Sequence, residues 1–137
     1  EFQDAMVALI RALGLHQPDR TPCGQPISVA EAHTLLELSR EPGLSQNGLG
    51  SRLRLEKSSV SRIVTGLEKR GWVTRTRDGS DTRIVHVHLT ADGLQATATL
   101  SASRQAKFER IFAAIPSGER AAVLSSLDTL LGVIREA

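Results

Sequence analysis

Signals for starting and stopping backbone elements recur at short intervals between Leu44 and Thr90, and their order leaves few folds open. Ser45 is placed to cap a helix that can run only to about Arg54, and Glu56 sets an acid at the start of the next, where the helix dipole favours negative charge. That second helix, about Lys57 to Arg70, has Val60, Ile63, Val64 and Leu67 on one stripe and ends at Gly71, a residue suited to the left-handed position after a helix. Trp72 to Arg77 then reads as a strand, Asp78-Gly79-Ser80-Asp81 as a turn, and Arg83 to Leu89 as the returning strand with Val85, Val87 and Leu89 alternating inward.

Two short helices followed by a basic hairpin is the order of a winged helix-turn-helix. The expected fold is therefore mainly α with a small β wing, the winged unit spanning about residues 28–89. Upstream, Phe2, Met6, Leu9, Ile10 and Leu13 recur at helical spacing, which predicts an amphipathic helix over about residues 2–15. Three prolines and a glycine between His16 and Pro26 force a loop. Ser28 and Glu31 then form a capping box that opens a helix to about Arg40 through Ala32, Leu35, Leu36 and Ser39. Downstream, Thr90 caps a long helix containing Leu94, Ala98, Phe108, Ile111, Phe112 and Ile115. Pro116-Ser117-Gly118 interrupts it, and a last helix carries Val123, Leu124, Leu127, Leu130, Leu131 and Ile134. The middle of the long helix lacks a wide apolar face and is hard to bury in so small a monomer. Residues 1–137 are accordingly read as a single domain whose terminal helices, about 2–15 and 90–136, hold two copies together as a homodimer.

The whole-chain charge of +2 conceals a concentrated basic segment. Residues 1–44 carry three bases against six acids and residues 90–137 carry five of each, whereas residues 45–89 carry nine bases against four acids. Clustering of this kind is the electrostatic footprint of a phosphate-binding surface. No apolar run approaches the roughly 18 residues that span a bilayer, and no basic start leads into an apolar stretch. The single cysteine, Cys23, cannot form an intrachain disulfide and suits a reducing compartment, so a cytoplasmic protein without membrane association is expected. Paired histidine and cysteine motifs, H-E-x-x-H, a P-loop and a nucleophile elbow are all missing, so neither catalysis nor a cofactor is expected.

SSVSRIVTGLEKRGWVTR, Ser58 to Arg75, and DTRIVHVHLTADG, Asp81 to Gly93, carry Val-Ser-Arg, Leu-Glu-x-x-Gly and Asp-x-Arg…Leu-Thr elements. At this spacing the chain resembles the MarR family of transcriptional regulators, the multiple antibiotic resistance regulators. The likeness extends over nearly the whole chain: a helix, a loop, a capped helix, the winged helix-turn-helix and two dimer-forming helices. It implies a homodimeric, sequence-specific regulator on a pseudo-palindromic operator in double-stranded DNA, expected to be a repressor released by a small-molecule ligand. Two other classes fit the residues: a winged module whose basic face meets an acidic protein, and the regulatory part of a longer fused enzyme.

Sequence is read in the major groove by hydrogen bonds to base edges, and Ser58, Ser59, Ser61, Arg62 and Thr65 offer short hydroxyls and one long cation for it, with Lys57 at the helix start beside them. Serine is a mediocre helix former, so three within four residues need a reason. Ser45 and Gln46, opening the preceding helix, are expected to bind phosphate. Arg75, Arg77 and Arg83 surround the Gly79 turn. The resemblance implies that Arg83 enters the minor groove, where a narrow groove concentrates negative potential, while Asp81 helps hold the wing. It also implies an effector pocket between the first two helices, the long fifth helix and the DNA-binding unit. Aliphatic lining with Arg11 and His33 as polar anchors suits a small apolar or aromatic anionic effector. His33 lies where zinc-responsive members place a ligand, but the histidines those members carry near the end of the long helix are missing here. Peroxide-sensing members place their cysteine in the first helix with tyrosines in support, whereas Cys23 sits in the loop and the chain has no tyrosine. No metal site is expected.

Overall fold

The computed structural model describes residues 1–137. In chain order the elements are α1 (Phe2–Leu13), α2 (Val29–Arg40), α3 (Gln46–Leu53), α4 (Lys57–Lys69), β1 (Val73–Arg77), β2 (Val85–Leu89), α5 (Ala91–Ala114), a single 3-10 turn (Ser117–Glu119) and α6 (Arg120–Glu136). The chain forms two compact units, residues 1–103 and 104–137, with α5 running through the boundary. No helix is long and apolar enough to cross a membrane.

Local chemistry sets most of the boundaries. The Ser28 hydroxyl accepts the Glu31 amide and the Glu31 carboxylate accepts the Ser28 amide, each at 3.0 Å, so the expected capping box opens α2. Gly14, Gly43 and Gly71 take left-handed φ values of 78° where helices end, a conformation that costs glycine nothing. Arg54 does the same at φ 56° without glycine's freedom, and the Leu55 amide then closes on the Gly50 carbonyl at 3.0 Å to make the tight turn between α3 and α4.

The core of the first unit is Leu35 and Leu38 of α2, Leu49 of α3 and Val60, Val64 and Leu67 of α4, closed by Val73 and Val87 of the hairpin, all at most 2% exposed. Full burial of each such side chain contributes about 1.5–3 kcal/mol. Two core positions within helices escape a reading based on apolar residues, because they are threonines. Thr34 and Thr97 are buried, and each donates its hydroxyl to the carbonyl four residues earlier, Ala30 at 2.8 Å and Gly93 at 2.7 Å. With the hydroxyl paired inside the helix, the methyl packs like that of valine at no desolvation cost. Both threonines lie on the inner faces of their helices. In α2, Thr34 and Leu38 turn inward while Ser39 is exposed. In α5, Gly93, Thr97 and Leu100 are buried, whereas Leu94 and Ala98 face out.

The two strands pair antiparallel in register from Val73 opposite Leu89 to Arg77 opposite Val85. The turn before α3 adds a third rung: Val87 donates to the Leu44 carbonyl at 3.0 Å, and Ser45 pairs with His86. Thr90 joins the hairpin to α5, its amide donating to the Trp72 carbonyl at 2.9 Å and its hydroxyl to that of Gly71 at 2.6 Å while accepting the Gly93 amide at 3.0 Å. In the second unit, Arg120 at the start of α6 donates to the Ile115 and Ala113 carbonyls at 3.0 and 2.9 Å, satisfying groups that the end of α5 leaves open.

Gly93 offers a test in which two effects have opposite sign. Glycine to alanine inside an exposed helix gains about 1 kcal/mol. Here a Cβ would collide with the Trp72 carbonyl, backbone that cannot swing aside. Overpacking of this kind costs about 1–3 kcal/mol, so Gly93→Ala should lower the melting temperature by several degrees in a thermal melt; a rise would mean that α5 does not lie this close to Trp72.

Candidate nucleic-acid interface

The positions of α4 sort cleanly around its axis. Val60, Val64 and Leu67 face the core, which leaves Ser58 and Arg62, one turn apart and both exposed, on the opposite side, with exposed Lys57 at the first helical position. Ser59 is half-buried, and Arg62 reaches back to its hydroxyl at 3.5 Å. Ser45 caps α3 by accepting the Gly48 amide at 3.0 Å, which leaves its own proton able to donate outward. One cleft is lined by Ser45, Gln46 and Asn47 from the start of α3, Lys57 from the start of α4, and Arg83, Ile84 and Val85 from the wing. The fold thus gathers four of the expected residues, Ser45, Gln46, Lys57 and Arg83, from three elements. Asn47 was not anticipated; its position one residue after Gln46 in the first turn of α3 is the signal that could have flagged it.

Arg75 is placed differently from the expectation. Its guanidinium turns to the flank of α4, donating to the Ser61 carbonyl at 2.7 Å and the Thr65 hydroxyl at 3.0 Å, with the Glu68 carboxylate at 3.7 Å. Thr65 in turn donates to the Ser61 carbonyl at 2.9 Å, so Ser61 and Thr65 are half-buried and tied to the wing strand instead of standing on the outward face. The reason is register: Arg75 sits opposite Val87 and so shares the face of the hairpin that packs on α4. Two other bases are likewise spent inside the unit. Arg52 bridges Glu37 at 3.2 Å and Glu41 at 2.8 Å, which holds its guanidinium above its ordinary pKa, and Arg70 lies 3.5 Å from Glu31 with its charge over the Trp72 ring.

The wing turn is organised by two aspartates. Asp78 accepts the amides of Ser80 and Asp81 at 2.9 and 3.0 Å and meets His86 Nε2 at 2.9 Å. The His86 bond, followed by the two amides, holds the Asp78 carboxyl below its usual value. Asp81 accepts the Arg83 amide and grips its guanidinium in a two-point bond at 3.0 Å, a pairing that lowers the Asp81 pKa and raises that of Arg83. Arg83 stays 89% exposed, so the pair is weak and can be exchanged for another anion at little cost. Arg77 is exposed and donates to the Thr82 carbonyl at 2.7 Å. The resemblance gave wing-holding to Asp81; in the structure Asp78 and His86 also bind the turn, which the pairing of the strands brings about. Arg11 and His33 lie on exposed faces of α1 and α2, outside the basic cleft.

A helix-turn-helix with a polar outward face on its second helix and an arginine-bearing hairpin beside it defines a winged-helix protein. Residues 25–84 match the model of the MarR family. A putative transcriptional regulatory protein for the hcr operon of Thauera aromatica is 28% identical over 93 residues, covering 68% of this chain and 56% of that protein. Among solved structures, the PcaV transcriptional regulator from Streptomyces coelicolor superposes with a TM-score of 0.85 at 22% identity, over 100% of this chain and 99% of that one; PcaV is also known in complex with its natural ligand. FabT of Streptococcus pneumoniae in complex with DNA gives a TM-score of 0.73 at 24% identity, over 96% and 90%. At these identities the structural likeness is one of fold. The winged helix of this chain is thus similar in sequence, over residues 25–84, and in fold to the MarR family of transcriptional regulators.

The division of the arginines predicts two phenotypes. Arg75→Ala should lower the melting temperature and weaken binding to operator and unrelated duplexes alike, since it loosens α4 from β1. Arg83→Ala should leave the melting temperature unchanged but reduce affinity and flatten the preference for A·T pairs under the wing, as read by fluorescence anisotropy on a panel of flank variants.

Proposed function

We propose that this protein is a homodimeric, sequence-specific regulator that represses transcription by occupying a pseudo-palindromic operator and is released by a small-molecule ligand in the cytoplasm. The observation that carries the DNA reading is the cleft in which Ser45, Gln46, Lys57 and Arg83 converge beside the exposed Ser58 and Arg62. Amides and short side chains at the start of α3 suit a phosphate, Ser58 and Arg62 suit base edges, Ser59 and Arg77 lie at the margin, and Arg83 suits the minor groove. Asp81 supports Arg83, while Ser61, Thr65 and Arg75 serve by fixing the pose of α4. We assign the chain no catalytic activity.

The dimer reading rests on apolar faces that each unit leaves open. Neither α1 nor α6 has a buried residue, and Phe2, Leu9 and Ile10 in the first unit and Leu124, Leu127, Leu131 and Ile134 in the second are each at least 38% exposed. The alternating steps of three and four in α6 are those of a helix seam. The release reading rests on PcaV, a structural likeness whose natural ligand occupies it in one structure. An apolar or aromatic anionic effector anchored by Arg11 and His33 fits the aliphatic composition, with the pocket completed by assembly.

Two copies of α4 about a twofold axis require inverted half-sites about 10 bp apart, or a multiple of that. Arg62→Ala should then cost about 1–3 kcal/mol on the operator and much less on a scrambled duplex; equal losses on both would reduce Arg62 to a phosphate contact. Removal of residues 124–137 should yield monomers by sedimentation with little affinity for the operator. A truncated protein that remains dimeric would place the interface elsewhere.

A further inference from the structure

We propose that His86 is a positioning residue for DNA binding, a protonated clamp that ties the wing turn to the turn preceding α3, so that affinity for DNA declines when this ring loses its proton. The proposal rests on the reading of the chain as a DNA-binding regulator. Its evidence is geometric. His86 Nδ1 lies 2.9 Å from the Gly43 carbonyl and Nε2 lies 2.9 Å from Asp78 Oδ1. A carbonyl and a carboxylate can only accept, so both nitrogens must donate, and only imidazolium has two N–H groups. A neutral ring in this place would set a lone pair against one of the two oxygens.

Neither acceptor can easily turn away. Asp78 is fixed by the Ser80 and Asp81 amides, and Gly43 is held in its left-handed conformation at the end of α2. Leu44 and Ser45, the next two residues, pair with β2 through Val87 and His86, and Ser45 is the cap of α3. Asp81, whose amide Asp78 accepts, grips Arg83. A continuous set of bonds therefore runs from the start of α3 through His86 to the wing arginine.

Asp78 is the charged neighbour that favours the cation. Asp78 bonds to the ring from the turn. Opposite it on β1 is Thr76, flanked by Arg75 and Arg77, whose guanidinium groups are engaged by α4 and by the Thr82 carbonyl. Glu37 and Glu41 of α2 are taken up by Arg52 of α3, Asp81 by Arg83, and His88 on the same strand faces the Thr76 hydroxyl at 3.2 Å. Lys57 and Arg83 line the cleft beside Ser45 and Val85. The Asp78 bond, then the Gly43 carbonyl, raise the His86 pKa above its ordinary 6.5, outweighing the opposing effect of burial. The sign follows from linkage: a raised His86 value means that the clamp's contribution is complete below pH 6.5 and disappears as pH rises through the raised value. Asp78, lowered from 3.8, contributes above that value and fails only in acid, so the clamp is closed between about pH 4 and 6.5 and opens on the alkaline side.

The test begins without DNA. In the full-length protein, the His86 ring followed by carbon-detected NMR should titrate above 6.5, and Asp78→Asn should bring its midpoint down. With operator DNA at constant salt, wild-type affinity should fall about five- to tenfold from pH 6 to pH 8.5, a span typical of coupling between sites. His86→Gln, shown folded by circular dichroism, should already bear that loss at pH 6 and show little further change, while His88→Gln keeps the wild-type slope. A His86 midpoint at or below 6.5, or a wild-type pH slope in His86→Gln, overturns the proposal. A wild type that binds no duplex at pH 6 overturns the regulator reading with it, and the titration of the DNA-free protein tells the two failures apart.

Discussion

Val87 donates its amide to the Leu44 carbonyl, and through that bond the hairpin becomes part of the helix-turn-helix instead of an appendage. A free two-stranded hairpin is marginally stable in water. The added rung from Leu44 and Ser45 gives β2 a partner on each edge and buries Val87 completely. It also sets the distance between the cap of α3 and the wing, because Ser45 is a partner of β2 and the cap of α3 at once. The cleft that collects Gln46, Lys57 and Arg83 exists because of this shared residue.

The basic segment does two different jobs, which its charge count merges. Arg52, Arg70 and Arg75 are turned to carboxylates or carbonyls of neighbouring elements and brace α2, α3, α4 and β1 against one another. Lys57, Arg62, Arg77 and Arg83 remain outward. Arg75 is costly to remove because it would leave the part-buried Ser61 carbonyl and Thr65 hydroxyl without their partner, whereas the outward cations are weakly held and can be given to a nucleic acid. Ser61 and Thr65 follow the same logic: a hydroxyl or carbonyl that holds Arg75 is committed to the pose of the recognition helix.

Apolar surface tells a parallel story. A chain with only three phenylalanines and one tryptophan builds its core from leucine and valine, and the first unit does so around α2, α3 and α4. Phe108, Ile111 and Phe112 of the second unit remain at least 38% exposed on α5, together with Leu124, Leu127 and Leu131 of α6. Exposure of that extent on large side chains marks surfaces that association would cover.

Capping residues, glycines after helices and the alternation of β2 are local, and these were legible in the chain: the capping box at Ser28 and Glu31, the cap at Ser45, the stop at Gly71 and the hairpin all lie close to where their residue types put them, because each depends on neighbours within a few positions. The buried positions Thr34, Thr97 and Gly93 were not legible, since a threonine that bonds its own helix and a glycine pressed on a carbonyl carry no apolar signature. Which arginines face outward, and that His86 meets both Gly43 and Asp78, were decided by strand register and by contacts across 43 residues of sequence. Those depend on where separate elements come to rest against one another, and only the folded chain determines that.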